Sequence, residues 1–428
     1  MNCRHCGNPL EHIFLDLGFA PPSNAYLDAA ALDAPETWYP LKVLVCQHCW
    51  LVQTQDYAYF AELFAADYAY FSSFSSTWLS HAERYVADMV RRFGLTKDSR
   101  VVEVAANDGY LLQYVRARDI PCLGIEPTAS TARAAREKGI EIVEDFFGVR
   151  LATALREQGK AADLMAANNV LAHVPDINDF VAGFAALLKP DGVAAFEFPH
   201  LLKLVQENQF DTIYHEHFSY LSLSAVLRIF ERNGLAVFDV EELPTHGGSL
   251  RVYAQRSDTG KRETNERVNK LFAEEINAGV MTASFYEGFQ GKADRVKNDF
   301  LSFLIETKSS GKTVAAYGAA AKGNTLMNYA GVRPDLIRFV VDRNPAKQGK
   351  YMPGSRIPIV DESKLLAAKP DYVVVLPWNL KAEVMQQIEY VTGWGSKFVT
   401  AVPILSVGAT PKSVSRRYVE KATGPNQD

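Results

Sequence analysis

Two cysteine knuckles near the amino terminus, Cys3-x-x-Cys6 and Cys46-x-x-Cys49, constrain this chain more than any other feature. Each offers two thiolates from one tight turn, and four thiolates complete the tetrahedral shell of one Zn²⁺. A filled shell leaves no position for a reacting water, so the metal is expected to be structural, with His5 and His48 as second-choice ligands. A disulfide or a redox pair is the competing reading. It is weakened because "MNCRHCGNPL" lacks the apolar stretch of a secretory signal and residues 1–50 carry no βαβ pattern. The few apolar residues between the knuckles suggest a lobe that needs its metal to fold.

With 428 residues the chain has length for about three domains. No apolar run reaches the length of a membrane helix, and a net charge of −5 supplies no field that would gather a polyanion. The expectation is a cytoplasmic protein without a membrane or nucleic-acid partner, monomeric or weakly dimeric.

After the lobe, "DYAYFSSF" is an aromatic, hydroxyl-rich loop holding Tyr68 and Tyr70, read as packing or as a gate over a ligand. Trp78, Tyr85, Val86 and Met89 then recur at helical spacing. The stretch "RVVEVAANDGYLLQYV" reads as a buried strand, a turn and a helix, and "CLGIEPTAS" as a second strand ending on Glu126. A carboxylate there, over a glycine-bearing first turn, is how doubly wound folds hold a ribose diol. The turn lacks G-x-G-x-x-G, so a pyrophosphate has no cradle, and S-adenosylmethionine fits better than NAD. Its expected contacts are Glu103, Ala105, Asn107, Asp108 and Gly109 from the first strand and turn. Glu126 and Pro127 follow on the ribose, Asp145 and Phe146 of "EDFFG" by the adenine, and Asn168 and Asn169 by the methionine part.

Farther on, "IYHEHFSY" places His215 and His217 around Glu216, beside Tyr214. Metal binding, proton transfer and a structural turn are all open to such a pair. No third ligand with clear spacing lies nearby, which disfavours a metal. In "HGGSLRV" two glycines let backbone N–H groups approach an anion, with Ser249 and Arg251 beside Gly248. A hairpin turn is the plainer reading, and both can hold. Residues 261–310 read as charged amphipathic helices. From Lys312 a second βα series begins, with strand "TVAAYG", turn "AAAKGNT" and a helix whose amino end suits a phosphate. Alone this is a weak nucleotide signal.

Together the cysteine pairs, "EVAANDGYLL", "NNVLAHVPD", "YHEHFSYLS", "HGGSLRV" and "YGAAAKGNTLMN", in this order, resemble the three-domain sugar C-methyltransferases that act on nucleotide-linked 4-keto-deoxysugars. The resemblance implies an α/β protein with a zinc lobe (1–70), a Rossmann-like methyltransferase domain (71–255), a helical linker (256–310) and a second Rossmann-like domain for the sugar nucleotide (311–428). It implies methyl transfer from S-adenosylmethionine to the carbon beside the 4-keto group, at C-3, on a thymidine or guanosine diphosphate sugar. His217 is then the expected base, Glu216 its orienting carboxylate, Tyr214 the enolate donor and His173 a further catalytic group. The substrate set adds Tyr68 or Tyr70, His215, Gly248, Ser249, Arg251, Tyr317, Gly318, Lys322, Asn324 and Trp378. Methylation at C-5, on oxygen or on nitrogen is the nearer alternative, and an inactive zinc-ribbon binding module or an NAD-dependent sugar oxidoreductase the more distant one.

Overall fold

The computed structural model describes residues 1–57 and 71–408. Tyr68 and Tyr70 lie outside the described residues, as does the terminal "EKATGPNQD". In the amino-terminal lobe, β1 (His12–Ala20), β2 (Tyr39–Val45) and β3 (Val52–Thr54) form an antiparallel meander. The second knuckle is the β2–β3 turn, closed by Trp50 N–H on the Cys46 carbonyl at 2.8 Å.

The central sheet is built on β4 (Val101–Val104), β5 (Cys122–Ile125), β6 (Glu141–Val143), β7 (Ala162–Asn168) and β8 (Leu188–Pro199), all parallel. Their near-continuous Val, Ile, Leu and Ala content is what a sheet covered on both faces requires. After β8 the chain leaves for β9 (Ser219–Tyr220), which pairs with β3 and so joins the lobe's sheet. It returns as β10 (Leu235–Leu243) and β11 (Ser249–Arg256), giving the order β10-β11-β8-β7-β4-β5-β6, in which only β11 runs against its neighbours. "HGGSLRV" is thus the hairpin between β10 and β11.

The carboxyl-terminal domain has β12 (Val314–Tyr317), β13 (Val340–Val341), β14 (Ile359–Val360), β15 (Tyr372–Val375) and β16 (Lys397–Thr400) in parallel, edged by antiparallel β17 (Ser406–Gly408). The helix Phe289–Ser309, read from sequence as part of a linker, buries Phe289, Ala293, Val296, Phe300 and Leu304. Spaced by three, four and seven, these residues share one face. That face packs in a single core with Phe14 and Leu15 of β1 and with Val314 and Val340 of the last domain. Its charges are on the solvent side, as expected.

Candidate active site

At the carboxyl ends of β4 and β7 the backbone passes through left-handed conformations at residues other than glycine, with φ of +59° at Ala105, +50° at Asn107 and +54° at Asn169. Each costs about 1 kcal/mol or more and persists only because packing fixes it. These residues line a cavity of about 640 Å³ with Glu126, Pro127, Asp145, Phe146 and Asn168. Glu126 is held by two backbone N–H groups, from Asn107 at 2.9 Å and Thr128 at 3.0 Å, and burial raises its carboxyl pKa. The side-chain carbonyl oxygens of Asn168 and Asn169 are buried and have no hydrogen-bond partner among the described residues. Two orphaned acceptors next to a poised carboxylate fit a ligand bringing an ammonium and a diol, which S-adenosylmethionine does.

Three expected cofactor contacts are not among the residues lining the cavity. Gly109 faces away from the cavity, and a Cβ there would stand 2.3 Å from Ile140 Cδ1, so its glycine serves helix packing. Asp108 accepts from Ser73 N–H at 3.3 Å and faces Lys138 at 3.4 Å, tying down the segment before the helix Ser76–Phe93. Glu103 is fully buried next to Tyr110, and burial holds its carboxyl well above the usual range, while Tyr110 takes the place on the cavity wall.

The "YHEH" stretch is a turn, closed by His217 N–H on the Tyr214 carbonyl at 2.9 Å. A turn brings its first and fourth residues to one side and sends the middle two elsewhere. Accordingly Tyr214 and His217 meet with ring centres 3.9 Å apart and planes tilted by 33°, and both line the cavity. His215 is directed to the lobe, with Nε2 donating to the Pro40 carbonyl at 3.2 Å, so it does not line the cavity and H-x-H is not a ligand pair. His217 Nδ1 donates to the Thr212 carbonyl at 2.9 Å. A carbonyl only accepts, so Nδ1 carries the proton and Nε2 accepts from the Tyr214 hydroxyl at 2.7 Å. Burial, with help from nearby His173 and Lys322, pulls the His217 pKa well below its ordinary value, leaving a neutral base. His173 lies 4.6 Å from it, ring centre to ring centre, and donates from Nδ1 to the Glu216 carbonyl at 2.8 Å. Burial lowers the His173 pKa to about 4. The expected orienter of His217 is corrected here: both ring nitrogens hold other partners, and the Glu216 carboxylate accepts from Asn24 instead, at 3.1 Å and 3.3 Å.

From the last domain, Lys322 reaches the same cavity. Its ammonium donates to Asn379 Oδ1 at 3.1 Å and sits 4.5 Å from the Trp378 ring centre. Burial lowers its pKa to about 8, opposed by the negative charge of Asp211. Trp378 lies behind it, donating to Asp211 at 2.7 Å. Other expected substrate contacts lie away from the cavity. Arg251 pairs with buried Glu197 at 2.8 Å, and Ser249 Oγ donates to the Thr245 carbonyl at 2.9 Å. Gly248 packs on Lys203, Gly318 on Pro377, and Tyr317 in the core. Asn324 Nδ2 donates to the Ser23 carbonyl at 2.5 Å. Residues that the sequence left unmarked line the cavity, among them Asn24, Trp78, His246 and Lys347. For His246 the signal lay in "HGG", read for its glycines alone. Trp78 had registered only as one position of a helical stripe.

The four cysteines bring their sulfurs within 4.8 Å of one another, with Cys3 to Cys49 and Cys6 to Cys46 each at 3.5 Å. Tetrahedral zinc with sulfurs at about 2.3 Å sets them about 3.8 Å apart, so the cluster fits the ion. Gln53 Nε2 and Asn8 Nδ2 donate to the Cys3 and Cys6 sulfurs at 3.2 Å and 3.3 Å, the outer support that thiolate ligands need. His5 is not among the clustered ligands, and its Nδ1 is paired with Asn178 at 2.8 Å.

Residues 3–64 match the family described as "Putative zinc binding domain", residues 78–240 "Methyltransferase domain" and residues 244–403 "C-methyltransferase C-terminal domain". The chain is 33% identical over 401 residues to C-methyltransferase NovU of Streptomyces niveus, covering 94% of this chain and 95% of that protein. It is 29% identical over 105 residues to ubiquinone biosynthesis O-methyltransferase of Bordetella avium, 24% of this chain and 44% of that one. Magnesium protoporphyrin IX methyltransferase from Synechocystis, solved with bound SAM, shares 16% identity over 42% of this chain and 79% of its own, with a TM-score of 0.32.

Proposed function

Because the chain belongs to the S-adenosylmethionine-dependent C-methyltransferases, we propose that it methylates the carbon beside the 4-keto group, at C-3, of a nucleoside diphosphate 4-keto-deoxysugar. The observation that carries this reading is the neutral, tautomer-fixed His217 in the same cavity as the cofactor-type groups around Glu126. A carbon next to a ketone becomes a nucleophile only when a base removes its proton and a donor steadies the enolate oxygen. The cofactor, when bound, supplies the electrophilic methyl group. His217 Nε2 is the proton acceptor, and Nδ1–H on the Thr212 carbonyl keeps that nitrogen unprotonated. Tyr214 donates to Nε2 in the resting state; turning its hydroxyl to the substrate oxygen releases Nε2 for the carbon acid. Lys322 and Lys347, with the amino end of the helix Ala321–Tyr329, make one end of the cavity cationic, which suits a diphosphate. The position of the methylated carbon rests on the family resemblance of the motifs.

The test is a panel of thymidine, uridine and guanosine diphosphate 4-keto-deoxysugars incubated with S-adenosylmethionine and analysed by mass spectrometry and NMR. One member is expected to gain a single methyl on C-3 and to exchange its α proton with deuterated solvent. A panel with neither outcome overturns the reading.

A further inference from the structure

The amino-terminal lobe does more than carry the cysteine cluster. Residues 23–27 leave it and run between the other two domains. On one side Asn324 donates to the Ser23 carbonyl at 2.5 Å, Tyr26 Oη to the Ala319 carbonyl at 2.7 Å, and Leu27 and Tyr351 exchange backbone hydrogen bonds at 3.0 Å and 2.8 Å. On the other side Asn24 lines the cavity and gives both its backbone N–H and its Nδ2 to one oxygen of Glu216. That carboxylate is completely buried, and its second oxygen has no hydrogen-bond partner among the described residues; the backbone N–H groups of Glu216 itself and of Ser23 also face it, and Asn24 adds the side-chain donor. Glu216 is in turn a junction. Its carbonyl accepts from His173, its neighbour is His217, and it occupies a middle position of the turn that pairs Tyr214 with His217.

From this geometry we infer that Asn24 is a positioning residue of the active site, acting through the Glu216 carboxylate to hold the 214–217 turn, with the 23–27 strap coupling that turn to the carboxyl-terminal domain. A buried carboxylate that loses its side-chain donor is driven to move or to take up a proton, and either change displaces the turn. The inference rests on the reading of His217 as the base, but the clamp itself is open to measurement without a substrate.

The reciprocal pair N24D, E216Q and N24D/E216Q tests it. N24D sets two carboxylates against each other, and the double variant restores a donor-acceptor pair with the polarity reversed. The expected result is a kcat about 10- to 100-fold lower for N24D, the range for a hydrogen bond to a charged group. The KM for S-adenosylmethionine should stay within about 2-fold, and the double variant should recover most of the lost rate. N24A, which removes Nδ2 but keeps the backbone donor, should lose less and serves if N24D does not fold. In the absence of substrate, imidazole ¹⁵N NMR of His-labelled protein should show the His173 and His217 signals shifted in N24D or N24A and returned in the double variant. Unmoved signals, or a double variant no better than N24D, overturn the clamp. An inactive wild type with shifted signals overturns the proposed reaction and leaves the clamp standing.

Discussion

The central and carboxyl-terminal domains solve the same local problem in the same way and reach different ends. In the first, Glu126 after β5 accepts from the N–H of Asn107 in the first turn and of Thr128 two residues on. In the second, Asp342 after β13 accepts from Ala319 N–H in the first turn at 2.7 Å and from Asn344 N–H at 2.8 Å. Each acid knits the first turn to the second strand. Over Glu126 the turn opens on the cavity, while over Asp342 the Ala319 carbonyl receives Tyr26 Oη and, at 2.8 Å, Lys347 Nζ. An acid at this topological point is therefore a turn staple first. Glu126, unlike Asp342, also lines the cavity.

The comparison can be broken first at the proposed base on the central side. His217→Ala is expected to lower kcat by about 10² to 10⁴ and abolish α-proton exchange, whereas His215→Ala should stay within about 3-fold, both read by steady-state kinetics. The two acids come next. Glu126→Ala should weaken S-adenosylmethionine binding about 10- to 100-fold by calorimetry. Asp342→Ala should leave that affinity unchanged and instead cost about 1–3 kcal/mol in urea unfolding. Equal effects on cofactor binding would end the distinction.

A pH profile sharpens it further. Lys322, with its pKa lowered to about 8, is protonated below that value and neutral above it. The KM for a sugar nucleotide should therefore rise by several-fold as pH passes from 7 to 9, and Lys322→Met should flatten that rise. His217, held well below its ordinary pKa, should add no fall in kcat down to pH 6. The buried neutral histidines have the opposite consequence for stability. For His173 the folded value of about 4 lies below an unfolded value of about 6.5, so its stabilisation is complete above the latter and lost as pH falls toward the former. The smallest effect is expected at the strap, where Tyr26→Phe removes one hydrogen bond over the second turn and should cost about 1 kcal/mol in thermal or urea unfolding.

Much of this was open to reading along the chain. The knuckles carry their own ligand spacing, buried parallel strands announce themselves by apolar runs, and the carboxylate after the second strand is a local signal. The H-x-H pair was not so readable, since residues i and i+2 share a face only in an extended segment. A single hydrogen bond from His217 N–H to the Tyr214 carbonyl makes the segment a turn, and partners Tyr214 with His217 in place of His215 with His217. Arg251 misled for a related reason. Its charge suited an anion, but β11 lies against β8, and that register delivers it to the buried Glu197.

The sequence by itself determined the two cysteine knuckles, the two βα series and the list of groups able to move a proton, because each knuckle, each strand–turn–helix unit and each such group is set by residues within about one element of one another. The tertiary structure decided which of those groups meet. Asn24 faces Glu216 across 192 positions, and Lys322 reaches the carbonyl of His246 across 76. Contacts over such distances leave no periodicity in the chain; they exist because the sheets, and the core shared by β1, the helix Phe289–Ser309 and the last domain, fix where the loops end.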